Sequence, residues 1–343
     1  MYDSFRPGQV WLDTNGERIQ AHGGSLLFVD GAYYWYGENK ERSKPGTGIW
    51  HWGVRCYSST DLYNWDDRGL IIPPVPEDPD SPLHPAQGMD RPHIVHSART
   101  GKWVCWLKIW AGGEVHVSTI LTADSLLGPY EIVRTGLAPL GMYAGDFDLV
   151  VDPFDGKGYY FFERVRSELI CADLTADLTD VTGYYSTHFP QPHPPLVREA
   201  PAYFRRRGKH YLITSGTTWY YPNASEVAVA ETYHGPYTVL GDPHPTDPSG
   251  TSFRSQVSSV FRHPTEPDLY IALADRWLPH LTEAESNQTE AFHRLYASGG
   301  ERGFTPPPVD TSVADYVWLP IRFDGDMPLI EWHDEWRWNT CAP

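Results

Sequence analysis

Asp30-Gly31-Ala32-Tyr33-Tyr34-Trp35-Tyr36 is the first of five related stretches that decide the fold. Gly101-Lys102-Trp103-Val104-Cys105-Trp106, Gly156-Lys157-Gly158-Tyr159-Tyr160-Phe161-Phe162, Gly208-Lys209-His210-Tyr211-Leu212-Ile213 and Pro267-Asp268-Leu269-Tyr270-Ile271-Ala272 repeat its turn and aromatic strand. A second strand-like run precedes each copy: Ser25 to Val29, His93 to His96, Leu149 to Asp152, Ala202 to Arg206 and Ser258 to Arg262. Each pair therefore reads as a hairpin, with Gly or Pro-Asp at the turn. The turns lie 70, 55, 52 and 59 residues apart. A blade of four short strands takes about 40 to 50 residues, and longer loops account for the remainder.

Ser58-Ser59-Thr60-Asp61-Leu62, Leu127-Gly128-Pro129-Tyr130 and His234-Gly235-Pro236-Tyr237 follow the hairpins at similar offsets and read as outer strands. Tyr316-Val317-Trp318-Leu319-Pro320 and Leu329-Ile330-Glu331-Trp332 give further strands, and one of these, or Gln9-Val10-Trp11, is expected to close the ring. An aromatic-rich β-sandwich is the competing reading, but a five-fold count at this period fits it poorly. The expectation is an all-β, five-bladed β-propeller, one catalytic domain over residues 1–343 without linkers.

Composition agrees. The chain has 14 Trp and 21 Tyr but only 4 Met, with no long stretch at helical spacing, and its 31 Pro and 30 Gly scatter turns throughout. A formal charge of −17 repels nucleic acid and anionic membrane surfaces, so neither is expected as a partner. No segment approaches the roughly 20 apolar residues of a membrane span, and Met1 to Val10 lack the apolar core of a signal peptide. A cytoplasmic location is expected if Met1 is the native start. Cys56, Cys105, Cys171 and Cys341 stand far apart, and predict reduced, mostly buried thiols.

Propellers present functional groups at the mouth of the central channel, from the innermost strands and the loops entering them. One polar position per blade gives Gln20 to His22, Asp90, Asp146 with Asp148, Glu199 and Gln256. Carboxyl groups from three blades thus converge on one axis. Glycoside hydrolysis needs such groups: a protonated carboxyl to release the leaving oxygen and a second group to activate water or attack the sugar. Glu199 is the best acid, because its apolar sequence neighbours and the other acids would raise its pKa. His22, His93 and His263 have no convincing ligand spacing, so no metal and no cofactor are expected, nor is a structural cation in the channel predicted.

Glu199-Ala200-Pro201-Ala202, Ser215-Gly216-Thr217-Thr218, Pro222-Asn223 and Ser255-Gln256 resemble motifs of the exo-β-1,3-galactanase branch of glycoside hydrolase family 43. So do Ile19-Gln20-Ala21-His22-Gly23-Gly24, Tyr34-Trp35-Tyr36-Gly37-Glu38 and Asp90-Arg91-Pro92, and the similarity runs from about Trp11 to Trp336. The resemblance implies an inverting enzyme acting on oligosaccharide or polysaccharide, with Glu199 as general acid. The first-blade aspartate base of most of the family is absent, since His22 or Gly23 stands there. In the branch a glutamine is the proposed substitute, which here matches Gln256. Asp90 matches the acid that tunes the catalytic acid, although the branch generally carries glutamate. For sugar binding, Glu38, Asp146 and Thr218 are candidates to hydrogen-bond hydroxyls and Trp110, Trp219 or Tyr220 to stack on the ring, and His22 is a candidate to line the channel. Trp219-Tyr220-Tyr221 departs from the branch's usual Gly-Trp-Asn, which alters the stacking residue. Three functions remain open at this point: release of terminal galactose from β-1,3-galactan or galacto-oligosaccharide, an α-L-arabinofuranosidase or β-xylosidase of the same family, and a carbohydrate-binding propeller without catalysis.

Overall fold

A computed structural model describes residues 1–299 and 309–339. The described residues form five antiparallel sheets, each of four strands in consecutive order. The innermost strands are β1 (His22–Val29), β5 (Gly88–Ser97), β9 (Ala144–Val151), β13 (Arg198–Arg206) and β17 (Gln256–Arg262). Each touches the next, and β17 returns to β1, so the sheets form a closed five-bladed propeller. The second strands, β2 (Ala32–Glu38), β6 (Lys102–Trp110), β10 (Gly158–Arg164), β14 (Lys209–Gly216) and β18 (Tyr270–Arg276), carry the repeated aromatic runs. All five hairpins read from the sequence are present.

Those runs are apolar at successive positions because both faces of a middle strand are covered by neighbouring blades. Tyr160 and Phe162 pack against Val104 and Trp106 of the second blade, while Tyr159 and Phe161 pack against Tyr203 and Leu212 of the fourth. Fourth strands have no outer neighbour. Residues 131–136 of the second blade's outermost strand are all exposed, and Ile132 and Val133 among them make no alternating apolar pattern.

Two expectations are corrected. Leu127-Gly128-Pro129-Tyr130 and His234-Gly235-Pro236-Tyr237 are turns from third to fourth strands, and Thr60 to Leu62 is a bend beyond Val54–Ser59. Proline has no N–H to donate to a ladder, so these motifs end pairing rather than extend it. The C-terminal runs supply the last two strands of the fifth blade, Asp315–Asp324 and Met327–Ile330, whereas Gln9 to Trp11 forms no strand. The N-terminal segment instead pins the seam by one bridge between Phe5 and Trp336, with N···O distances of 2.9 and 3.0 Å. Their rings stack at 4.2 Å, and the Trp336 indole donates to Trp318 O at 2.8 Å. Trp336→Ala is expected to destabilise the protein by about 3–5 kcal/mol. It should lower the urea midpoint without changing the slope; an unchanged midpoint would contradict the seam.

Cys56, Cys105 and Cys171 are free, buried thiols, and Cys341 lies outside the described residues. No described helix is long and apolar enough to cross a membrane.

Candidate active site

A backbone irregularity recurs at one depth in all five blades. On β1, β5, β9 and β13 two residues oppose one on the second strand: Gly23-Gly24, Arg91-Pro92, Gly145-Asp146 and Ala200-Pro201. On β17 a single extra residue, Ser258, does the same. Such bulges bend a strand and re-aim the side chains beside it. Gly23, Arg91 and Ala200 sit at φ 60°, 54° and 48°, the left-handed region that side chains other than glycine seldom occupy. A Cβ on Gly23 would run into the Glu38 carboxyl, and one on Gly145 into that of Glu163. The glycines let two carboxyl groups lie against the backbone.

Around these bulges opens a cavity of about 800 Å³, lined among others by Glu38, Asp90, Arg91, Lys108, Asp146, Glu163, Glu199 and Gln256. That volume falls within the usual range of small-molecule sites, about 300–1,000 Å³. A smaller recess of about 460 Å³ lies beside the first blade, where Arg18 and Arg55 are already paired with Asp315, Glu41 and Asp67.

Two cations organise the floor. Lys108 Nζ lies 2.8 Å from Asp146 and 3.2 Å from Asp90, and Arg91 Nη2 lies 2.7 Å from Asp146. Burial alone would raise both aspartates, but Lys108 and Arg91 outweigh it at Asp146, and Lys108 and Lys40 at Asp90. Both are held below the ordinary carboxylate range. Asp90 also accepts from the Trp50 indole at 2.6 Å. Glu38 pairs with Lys40 at 2.7 Å and accepts from Arg91 N at 2.9 Å.

Glu199 behaves oppositely. Burial pushes its pKa well above the usual value, and the neighbouring Asp146 and Glu163 charges push it further than Lys108 and Arg91 pull it back. It takes the part of a neutral acid beside Asp90 and Asp146, which the cations hold ionised. Its Oε1 accepts from Gln256 Nε2 at 3.3 Å, and Gln256 Nε2 also donates to Ser215 Oγ at 2.9 Å. Glu163 and Glu38 are raised as well, each to about 7 and chiefly by burial.

Rings form the wall. Trp50 and Trp110 lie 5.4 Å apart, Trp110 and Trp219 5.7 Å, Trp219 and Tyr220 5.3 Å, and Tyr220 and Trp277 5.2 Å. Three lining nitrogens, Arg91 Nη1, His116 Nδ1 and Trp219 Nε1, have no hydrogen-bond partner among the described residues. Phe292 and Tyr296, from the helix Thr289–Ala297 of the fifth blade, complete the wall.

Glu199, Gln256, Asp90, Glu38, Asp146, Trp110 and Tyr220 thus meet in one cavity, as do Trp219 and Arg91. His22 and Thr218 do not line it. His22 is fully buried, bonded through Nδ1 to Asp275 at 3.0 Å and stacked on Tyr316 at 4.7 Å. The Thr218 hydroxyl donates to Tyr221 O and accepts from Asn223 Nδ2 at 2.7 Å, which leaves it no donor for a sugar. Asp148 is turned toward His93, and accepts from Leu149 N and Tyr203 N at 2.7 and 2.8 Å. Sequence reading passed over Lys108, Trp50, Glu163 and Trp277. A lysine inside Trp106-Leu107-Lys108-Ile109 and a glutamate ending Tyr160-Phe161-Phe162-Glu163 were the available signals, since charges in doubly buried strands need a partner or a purpose. Among the described residues no three His, Cys, Asp or Glu side chains are grouped to hold a metal ion.

A family profile described as Glycosyl hydrolases family 43 matches residues 20–274. A search of curated proteins finds no match. Among solved structures, a GH43 β-1,3-galactosidase is 26% identical over 99% of this chain, with a TM-score of 0.80. A second GH43 β-1,3-galactosidase, solved with galactodeoxynojirimycin, is 28% identical over 97% of this chain and 100% of its own, with a TM-score of 0.77. An exo-β-1,3-galactanase from Clostridium thermocellum is 25% identical over 97% of this chain, with a TM-score of 0.74. The chain spans 64% of the length of the first of these and 66% of the third.

Proposed function

The chain belongs to glycosyl hydrolases family 43, and from that premise we propose an inverting, exo-acting enzyme that releases terminal galactose from β-1,3-linked galactan or galacto-oligosaccharide. Glu199 is the general acid, Asp90 tunes it, and Gln256 stands at the place of the usual base. One observation carries the reading: a neutral, buried carboxyl shares a cavity floor with carboxylates that lysine and arginine keep ionised. Environments that push like groups apart assign acid and base roles. The likeness to two β-1,3-galactosidases and an exo-β-1,3-galactanase supports galactose as the sugar.

The hydroxyls of a neutral sugar find acceptors in Glu38 and Asp146 and donors in Arg91 and Trp219. Its apolar face stacks on Trp110, Trp219 or Tyr220. Trp110→Ala is expected to raise KM about tenfold with little change in kcat, the pattern of lost uniform binding. A fall in kcat instead would remove Trp110 from that role.

The decisive experiment offers the enzyme β-1,3-galactobiose and galactotriose alongside aryl α-L-arabinofuranosides and β-xylosides, and follows products by proton NMR. Galactose released first as the α-anomer is the expected result. A β-anomer first would end the inverting assignment. Arabinose or xylose without galactose would favour the second reading, which Asp90 and the altered Trp219-Tyr220-Tyr221 segment motivate.

A further inference from the structure

Gln256 has no unused hydrogen-bonding capacity. Its oxygen accepts from Arg91 Nη2 at 2.5 Å and from Trp277 Nε1 at 3.4 Å. Its nitrogen donates to Ser215 Oγ at 2.9 Å and to Glu199 Oε1 at 3.3 Å. A primary amide has two donor hydrogens and two acceptor lone pairs, and here all four are used. Neither Arg91 nor Trp277 can accept, so the oxygen must be the atom that faces them.

We infer, resting on the reading of Glu199 as the acid, that Gln256 is a positioning residue for that acid and does not take the proton of the attacking water, and that Arg91 locks it in this role. To accept a proton through the imidic tautomer, the amide oxygen would become a hydroxyl and the nitrogen would lose a hydrogen. That oxygen faces two N–H groups, one belonging to a guanidinium that stays protonated at any working pH. The tautomer would set hydrogen against hydrogen across the shortest contact of the network. Arg91 cannot swing away easily, being 4% exposed, fixed in a bulge and tied to Asp146 as well.

The consequence falls on Glu199. Oε1 receives the Gln256 N–H, so the acidic hydrogen resides on Oε2. In the reaction that hydrogen passes to the glycosidic oxygen, which takes the electron pair of its breaking bond to the anomeric carbon. Glu199 becomes a carboxylate, and the same N–H bond strengthens on the new charge. The water that adds to the anomeric carbon gives its second proton to one of the floor carboxylates that Lys108 keeps ionised. Exchange with solvent then returns a proton to Glu199 and removes one from the floor.

The test compares Gln256→Ala and Gln256→Met on two substrates with one sugar. β-1,3-Galactobiose needs its leaving oxygen protonated, whereas 2,4-dinitrophenyl β-D-galactoside does not. Loss of at least about 100-fold in kcat/KM on the disaccharide, a loss at least tenfold smaller on the dinitrophenyl glycoside, a displaced alkaline limb of the disaccharide pH profile and no acceleration by azide are expected. Equal losses on both substrates with azide rescue, the pattern of a missing base, would overturn the inference. The infrared carbonyl band of the neutral carboxyl, identified by its absence from Glu199→Gln, provides a readout without turnover. It should shift in both Gln256 variants, and an unmoved band would overturn the positioning role even if the native enzyme released no galactose.

Discussion

Glu199→Gln lowers kcat on a β-1,3-linked galactoside by about 10²–10⁴-fold, and the variant melts above the native protein at pH 7. The first effect follows from chemistry: an amide of the same shape accepts the Gln256 hydrogen bond but has no acidic proton to give. The second follows from linkage. Burial, reinforced by Asp146 and Glu163, raises the folded ionisation of Glu199 well above that of an unfolded glutamate, about 4.3. Between those values the folded state holds a proton that the unfolded chain has lost, so stability declines as pH rises through the window. Glutamine carries no such penalty. Calorimetry at pH 7 and near pH 4 should show the melting advantage at the first and its disappearance at the second. Full activity in this variant, or a lower melting temperature at pH 7, would refute the assignment of a neutral buried acid.

Lys108→Met has the largest expected effect on the fold. Its ammonium lies within 3.2 Å of two buried aspartates, and removing one partner of a buried ionic network costs about 3–5 kcal/mol. The deficit depends on pH with a definite sign. Asp90 and Asp146 are held below the ordinary carboxylate range, so they contribute stability above an unfolded pKa of about 3.9 and lose it as pH falls through their folded values. Without Lys108 that contribution is missing at neutral pH, and the gap to the native protein narrows toward pH 3. Lys108 also opposes the upward shift of Glu199, so any activity left has its alkaline limb moved upward. Urea titrations at several pH values measure the first effect and a pH profile the second; a deficit constant with pH would contradict the network.

The five hairpins were legible because their middle strands are buried on both faces, which writes apolar side chains at consecutive positions such as Tyr159 to Phe162. Outer strands were not, since Glu131–Leu137 faces solvent and carries no pattern. The cavity was legible where an acid or amide begins an innermost strand, as at Asp90, Glu199 and Gln256. It failed where one residue decides which way a side chain turns. His22 and Thr218 stand next to cavity-forming segments in the sequence, but a bulge at Gly23-Gly24 and a turn at Thr218 to Tyr221 aim them elsewhere, and a shift of one position flips a strand residue to the other face. The basic partners were missed for another reason. Lys108 and Arg91 both bind Asp146 of the next blade, and their sequence neighbours give no hint of that distant contact.

The kink repeated at one level of every sheet also bears on how such a molecule changes its chemistry. Because the ladder bends each strand at the kink, the residue beside it is presented to the axis as in a socket, while the glycines at Gly23 and Gly145 stay fixed by the carboxyls packed on them. The first blade illustrates this: with His22 withdrawn to Asp275 and glycines in the kink, the socket delivers no acid, yet the circle stays whole. Exchanging the residue at one such socket therefore alters what that blade presents to the axis while the rest of the circle keeps its ladder.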